Sequence, residues 1–152
     1  MTEDLESLLP HRAPMILIDE VESFDAAEKR LVARVTITPN QLFFDGEGVP
    51  SWVAIEYMAQ TAAALVGMSD RMQGRKARVG FLLGTRRLDL AIDRFAAGET
   101  YRIAAKCAFE DDSAAAFECV ISDSRGSEVA TASLNAYRPA NVAEFLKEQA
   151  NR

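Results

Sequence analysis

The stretch with the most chemical promise runs from Trp52 to Met68. It is apolar at nearly every position and carries a single charged residue, Glu56, with Gln60 one turn later. Residues four apart share a helix face, so the pair makes a small polar stripe on an apolar cylinder. Burial disfavours the charged form of a carboxyl group, which suits a general acid or base near neutral pH. A stripe turned to solvent, or an ion pair between Glu56 and an arginine such as Arg86, gives the same pattern without chemistry. His11 is the chain's one histidine and the second candidate base. It sits in an extended loop between Pro10 and Pro14; no spacing ties it to Glu56, and a loop histidine bonded to backbone is the plainer alternative. Before the apolar stretch, Asp45-Gly46-Glu47-Gly48-Val49-Pro50 leads into a helix N-terminus. Backbone N–H groups around Ser51 to Val53 can hold a carbonyl oxygen as it gains negative charge. Gly48, Ser51, Trp52 and Gln60 are therefore the candidate substrate contacts. One histidine makes a structural zinc site improbable, and no phosphate-loop or dinucleotide motif is present.

The elements that must position these groups are legible in outline. Glu3 to Leu9 suits a short helix ended by Pro10. Met15 to Phe24 suits a strand. Arg30 to Thr38 alternates, with Leu31, Ala33, Val35 and Ile37 on one side and Val32, Arg34 and Thr36 on the other. Ser51 is a candidate N-cap. The helix after it is apolar all round and therefore expected to be buried. Antiparallel strands follow: Val79 to Leu90 running on towards Phe95, Tyr101 to Phe109, Phe117 to Ile121 and Glu128 to Tyr137. Glu110 to Ser113 and Asp123 to Gly126 are the turns between them. A short polar helix over 142–149 closes the chain. Two strands, one buried helix and four strands imply an α+β domain, a sheet wrapped around a central helix in two layers.

Composition bounds the partners. The chain has 152 residues, 49% of them hydrophobic, and one domain of that size builds a core without disulfides. Cys107 and Cys119 read as small inward-facing hydrophobes. The net charge of −6 argues against nucleic acid as a partner. Residues 71–88 nevertheless hold Arg71, Arg75, Lys76, Arg78, Arg86 and Arg87 and no acid. Such an island steers an acidic partner or a phosphate, or is simply a solvated face. No run has the length and apolarity of a membrane span, and the acidic start, Met1-Thr2-Glu3-Asp4, is unlike a signal peptide. The expected location is cytoplasmic.

Four motifs carry a family resemblance. Leu9-Pro10-His11-Arg12-Ala13-Pro14 with the apolar run to Asp19 resembles the L-P-H-R-x-P opening of the bacterial β-hydroxyacyl-acyl-carrier-protein dehydratases. Phe43-Phe44-Asp45-Gly46 resembles their F-F-x-G. Pro50 to Gln60 resembles their P-G-V-L-x-x-E-A-M-A-Q without a gap, and Gly98-Glu99 their G-D turn. The resemblance implies a hotdog fold of five to six antiparallel strands around one long helix. It also implies a dimer that removes water from a 3-hydroxyacyl thioester on acyl carrier protein, with no cofactor. Glu56 takes the place of the family's helix glutamate and Gln60 that of its following glutamine. The family's active site adds a histidine from the other protomer. Here Glu47 stands where that histidine belongs, the loop is shorter, and Ser51 replaces the glycine after the proline.

That departure leaves three accounts open. Glu56 works with His11 or Glu47; a histidine-bearing hotdog homologue completes the site in a heterodimer; or the chain is a non-catalytic partner. The chain looks most like the divergent dehydratase-like subunits of aryl-polyene pathways. A hotdog thioesterase, using the helix carboxylate to activate water, is a further alternative. On the dehydratase reading the basic island docks the carrier protein.

Overall fold

The computed structural model describes residues 5–9, 15–74 and 81–137. His11, Arg75, Lys76, Arg78 and the expected helix over 142–149 lie outside them. Helix α1 (Leu5–Leu8) precedes strands β1 (Glu20–Asp25) and β2 (Arg30–Thr36). Strand β3 (Gly48–Pro50) then leads through a 3₁₀ turn (Ser51–Val53) into α2 (Ala54–Met72). Strands β4 (Phe81–Leu90), β5 (Arg94–Ala96), β6 (Thr100–Glu110), β7 (Ala114–Ser122) and β8 (Glu128–Tyr137) follow.

Six strands form one antiparallel sheet in the order β1-β2-β6-β7-β8-β4, while β3 and β5 make a separate two-stranded ladder. Alternation sends one side chain in two towards α2. The register aligns Ala33, Ile103, Ile121 and Ala130 in one row and Leu31, Ala105, Cys119 and Ala132 in the next. All eight are buried. Alanine at half of these positions leaves room for the helix, which lies mainly over β6 and β2. From the other side Tyr57, Met58, Ala62 and Leu65 fill the layer between. Gly67 lets α1 close against α2, because a Cβ there would stand 2.7 Å from Leu8 O. Tyr57, Phe95 and Tyr101 pack edge to face, with ring centroids 5.3 and 4.9 Å apart.

Four expectations need correction. Met15 to Asp19 is not part of the first strand, because the Gln60 side chain of α2 takes the Met15 carbonyl and the Leu17 N–H that a ladder would use. Ser51 makes no side-chain cap; Pro50 occupies the cap position and the helix begins as a 3₁₀ turn. The strand after α2 does not run on to Phe95, which belongs to β5 and pairs with Val49. Cys107 is only half-buried, whereas Cys119 faces the core as expected. Both hairpin turns form where expected. Asp111 and Asp123 each accept backbone N–H bonds from residues further along their own turn, as Asx turns do.

Candidate active site

Glu56 lies in the first turn of α2 and is half-buried. Gln60, one turn on, is 0% exposed and has its whole amide engaged. Its Nε2 donates to Met15 O at 2.5 Å and to Glu56 Oε1 at 3.3 Å, and its Oε1 accepts the Leu17 N–H at 2.8 Å. Gln60 is thus a clasp rather than a surface that a substrate touches. It binds the segment following the His11 loop to the helix and fixes one carboxylate oxygen of Glu56. Asp19 extends the same docking: its N–H donates to Arg34 O, and its Oδ2 accepts the Thr36 N–H at 2.7 Å.

The loop where the family's histidine would stand is also locked. Asp45 Oδ1 accepts the N–H groups of Glu47 and Gly48 at 3.0 and 3.1 Å. Asp45 Oδ2 accepts Arg94 Nε at 2.8 Å. The guanidinium and the two amides hold the Asp45 carboxyl down at about 2, since bonds to the charged form favour it. Arg94 also pairs with Glu47 at 3.4 Å, so Glu47 is turned towards β5 at the surface. Gly48 is buried in β3 opposite Ala96, where a Cβ would come within 2.1 Å of Phe95 O. Its N–H and carbonyl are both bonded to Asp45. Gly48 is therefore required by the backbone of the β3–β5 ladder.

Ser51 N–H donates to Asp93 O at 3.0 Å, which removes it from the donors expected to meet a carbonyl oxygen. Trp52 is 57% exposed and stacks edge-on against Phe43 at 5.5 Å. It stands one turn before Glu56 on the same face. The basic island is not one patch. Arg71 sits on the last turn of α2, at the opposite end from Glu56, and donates to Ser7 Oγ at 2.6 Å. Arg86 and Arg87 are exposed on β4, and Arg87 pairs with Asp89 at 2.6 Å.

Sequence reasoning missed Arg94 altogether, although Asp45-Gly46 was visible as a turn. The signal lay in a lone arginine on a short strand, and only the pairing of β3 with β5 makes it meaningful. Among the described residues, no group of histidine, cysteine, aspartate and glutamate is arranged to hold a metal ion.

A family model described as ApeP-like, ApeP dehydratase, matches residues 3–147. The chain belongs to the ApeP-like dehydratase family. The dehydratase heterocomplex ApeI:P from Xenorhabdus doucetiae contains a chain of the same shape, with a TM-score of 0.87 and 27% identity over 97% of each chain. Among curated relatives, the 3-hydroxyacyl-[acyl-carrier-protein] dehydratase FabZ of Anaeromyxobacter dehalogenans strain 2CP-C is 38% identical over 85 residues. That alignment covers 53% of this chain and 54% of FabZ, so the chain spans about half the length of the curated relatives it matches. A hypothetical thioesterase protein of Streptococcus pneumoniae TIGR4 solved with coenzyme A shares the fold alone, at TM-score 0.63 and 11% identity over 79% of this chain and 84% of that one. The six-stranded sheet around one central helix is the hotdog fold. No described helix is long and apolar enough to cross a membrane.

Proposed function

We propose that this chain is one subunit of a 3-hydroxyacyl-[acyl-carrier-protein] dehydratase, supplying Glu56 to a site that a histidine-bearing hotdog partner completes. The observation that carries this reading is the contrast between two segments. Gln60 holds Glu56 in a defined place on α2. The loop that would bring a histidine instead ends in Glu47, tied to Arg94. The heterocomplex of the similar ApeI:P structure and the name of the FabZ relatives support the same partner and substrate class.

In this mechanism the partner's histidine removes the α-proton of the acyl thioester. Glu56 protonates the leaving hydroxyl, the β-carbon–oxygen bond breaks, and water departs as the carbon–carbon double bond forms. The positive end of the α2 dipole polarises the thioester carbonyl. His11 is a lesser candidate for the base, since Gln60 docks the chain that follows it. Trp52, beside Glu56, flanks the acyl group. Arg86 and Arg87 are the docking groups we assign to the acidic carrier; Arg71, at the far end of α2, serves a different surface. The reaction requires no cofactor, and we place it in the cytoplasm.

The partner surface we assign is the outer edge of β4, a ten-residue strand at the end of the sheet with no strand beside it among the described residues. Unpaired edges recruit a further strand, and the exposed Leu88 and Leu90 add apolar area.

The purified chain, alone and mixed with a histidine-bearing homologue, is given a 3-hydroxyacyl carrier substrate. The mixture is expected to form the enoyl product, and Glu56→Gln to slow it by about two orders of magnitude or more, as loss of a general acid does. Unchanged turnover in Glu56→Gln, together with an intact complex, would show a purely structural subunit. Release of free thiol in place of enoyl product would favour the thioesterase reading.

A further inference from the structure

The sheet has a second face, turned away from α2 and from the site around Glu56. Strand alternation and register lay this face out in rows. Its middle row runs Val32, Ala104, Val120, Thr131 across β2, β6, β7 and β8. On one side of it lie Arg30, Lys106, Glu118 and Ser133; on the other lie Arg34, Arg102, Ser122 and Glu128. Both outer rows are thus basic on β2 and β6 and acidic or neutral on β7 and β8. Arg34, Arg102 and Lys106 each reach an acid from β1 or the turn after it, namely Glu20, Glu22 and Glu28. Lys106 still keeps 54% of its side chain exposed. Glu118 accepts the Ser133 hydroxyl at 2.8 Å. Among the described residues neither Glu118 nor Glu128 has a basic partner, and Arg30 has no acidic one.

We propose that this face binds a second copy of the same chain, sheet against sheet, about a two-fold axis that runs along the strands between β6 and β7. A two-fold contact brings one patch against itself, so the patch must be its own complement. This rotation lays β6 over β7 and β2 over β8. Lys106 then faces Glu118 and Arg34 faces Glu128, each pair occurring twice. In the middle row Ala104 meets Val120 and Val32 meets Thr131, side chains small enough for two sheets to approach to about 10 Å. Glu118 lies with Thr131 and Ser133 in a shallow hollow of about 410 Å³, into which the facing Lys106 reaches. A two-fold axis across the strands would instead set Arg30 on Arg34 and Lys106 on Arg102, and like charges so placed repel. The four strands β2, β6, β7 and β8 cover roughly 600 Å² in projection. Side-chain relief and the flanking strands bring the accessible area to about the 800 Å² a side of a standard interface. Neither α2 nor the β4 edge is covered, so the contact is compatible with a hotdog partner on that edge and does not depend on the dehydratase reading.

Analytical ultracentrifugation of the full chain carrying Leu88→Glu tests this, since that substitution removes association through the β4 edge. At micromolar concentration the chain is expected to sediment as a dimer. Glu118→Lys in the same background sets lysine against Lys106 and is expected to weaken the dimer at least ten-fold, as like charges across an interface do. Glu128→Lys, opposite Arg34, is expected to act in the same direction. Lys106→Glu combined with Glu118→Lys reverses both halves of the pair and is expected to restore the dimer. Circular dichroism of every variant should match that of the parent, because the exchanged side chains lie on the surface. A Leu88→Glu chain that stays monomeric, a dimer that Glu118→Lys leaves intact, or a double reversal that fails to restore association would overturn the proposal.

Discussion

Gln60 shows how one buried amide can fix the place of a helix carboxylate. All its bonds run to the Met15–Leu17 segment and to Glu56. Gln60→Leu keeps the volume but leaves the Leu17 N–H unpaired in the core, which costs about 1–3 kcal/mol. A lowered denaturation midpoint in urea with an unchanged slope is the expected result, together with a fall in kcat that Glu56→Gln does not deepen. Asp45 gives a prediction of a different kind. Its carboxyl is held at about 2, below the usual carboxylate range, so the folded state binds its proton less readily than the unfolded one. Its stabilising effect is therefore complete above about pH 4 and disappears as the pH falls towards 2. The melting temperatures of the wild type and Asp45→Asn should differ by a constant amount at neutral pH and converge over that acid interval. A gap that persists at pH 2 would mean that the clasp acts through packing and not through charge.

The elements differ in how openly the sequence displays them. Alternation over Arg30 to Thr36 and the apolar run of α2 announced themselves because each has one strong period and one buried face. The small ladder of β3 with β5 did not, since three residues carry no period. What makes it is a glycine at Gly48 that allows Phe95 O to approach. Gly48→Ala is expected to destabilise the domain by about 1–3 kcal/mol, as overpacking does, and to loosen the loop that Asp45 and Arg94 close. Thermal melts of Gly48→Ala, Asp45→Asn and the double variant would show this as non-additive losses. The motif match pointed to Glu56, while the helix N-terminus pointed to Gly48 and Ser51, whose backbone N–H groups are bonded to Asp45 and Asp93. Hydrogen-bond partners separated by tens of residues leave no trace in local spacing, and Arg94 is the clearest case.

For the molecule as a whole, the chemistry and the assembly are one question. On the dehydratase reading proposed above, a hotdog chain that carries a helix carboxylate but ties down its histidine-position loop supplies half of a site. Leu88→Glu, on the exposed edge strand, is expected to weaken partner association at least ten-fold in analytical ultracentrifugation while the isolated chain keeps its circular dichroism spectrum. Arg86→Glu with Arg87→Glu should raise KM for the carrier-borne substrate and leave KM for the matching pantetheine substrate unchanged. The outer rim of β4, unpaired among the described residues, also bears on the cell that makes the protein. A long strand with open backbone donors and acceptors and protruding leucines is a template for indiscriminate pairing. Newly made chains that outnumber their companion are then the ones expected to clump or to be degraded, and matched synthesis of the two would be a requirement for solubility before it is one for activity.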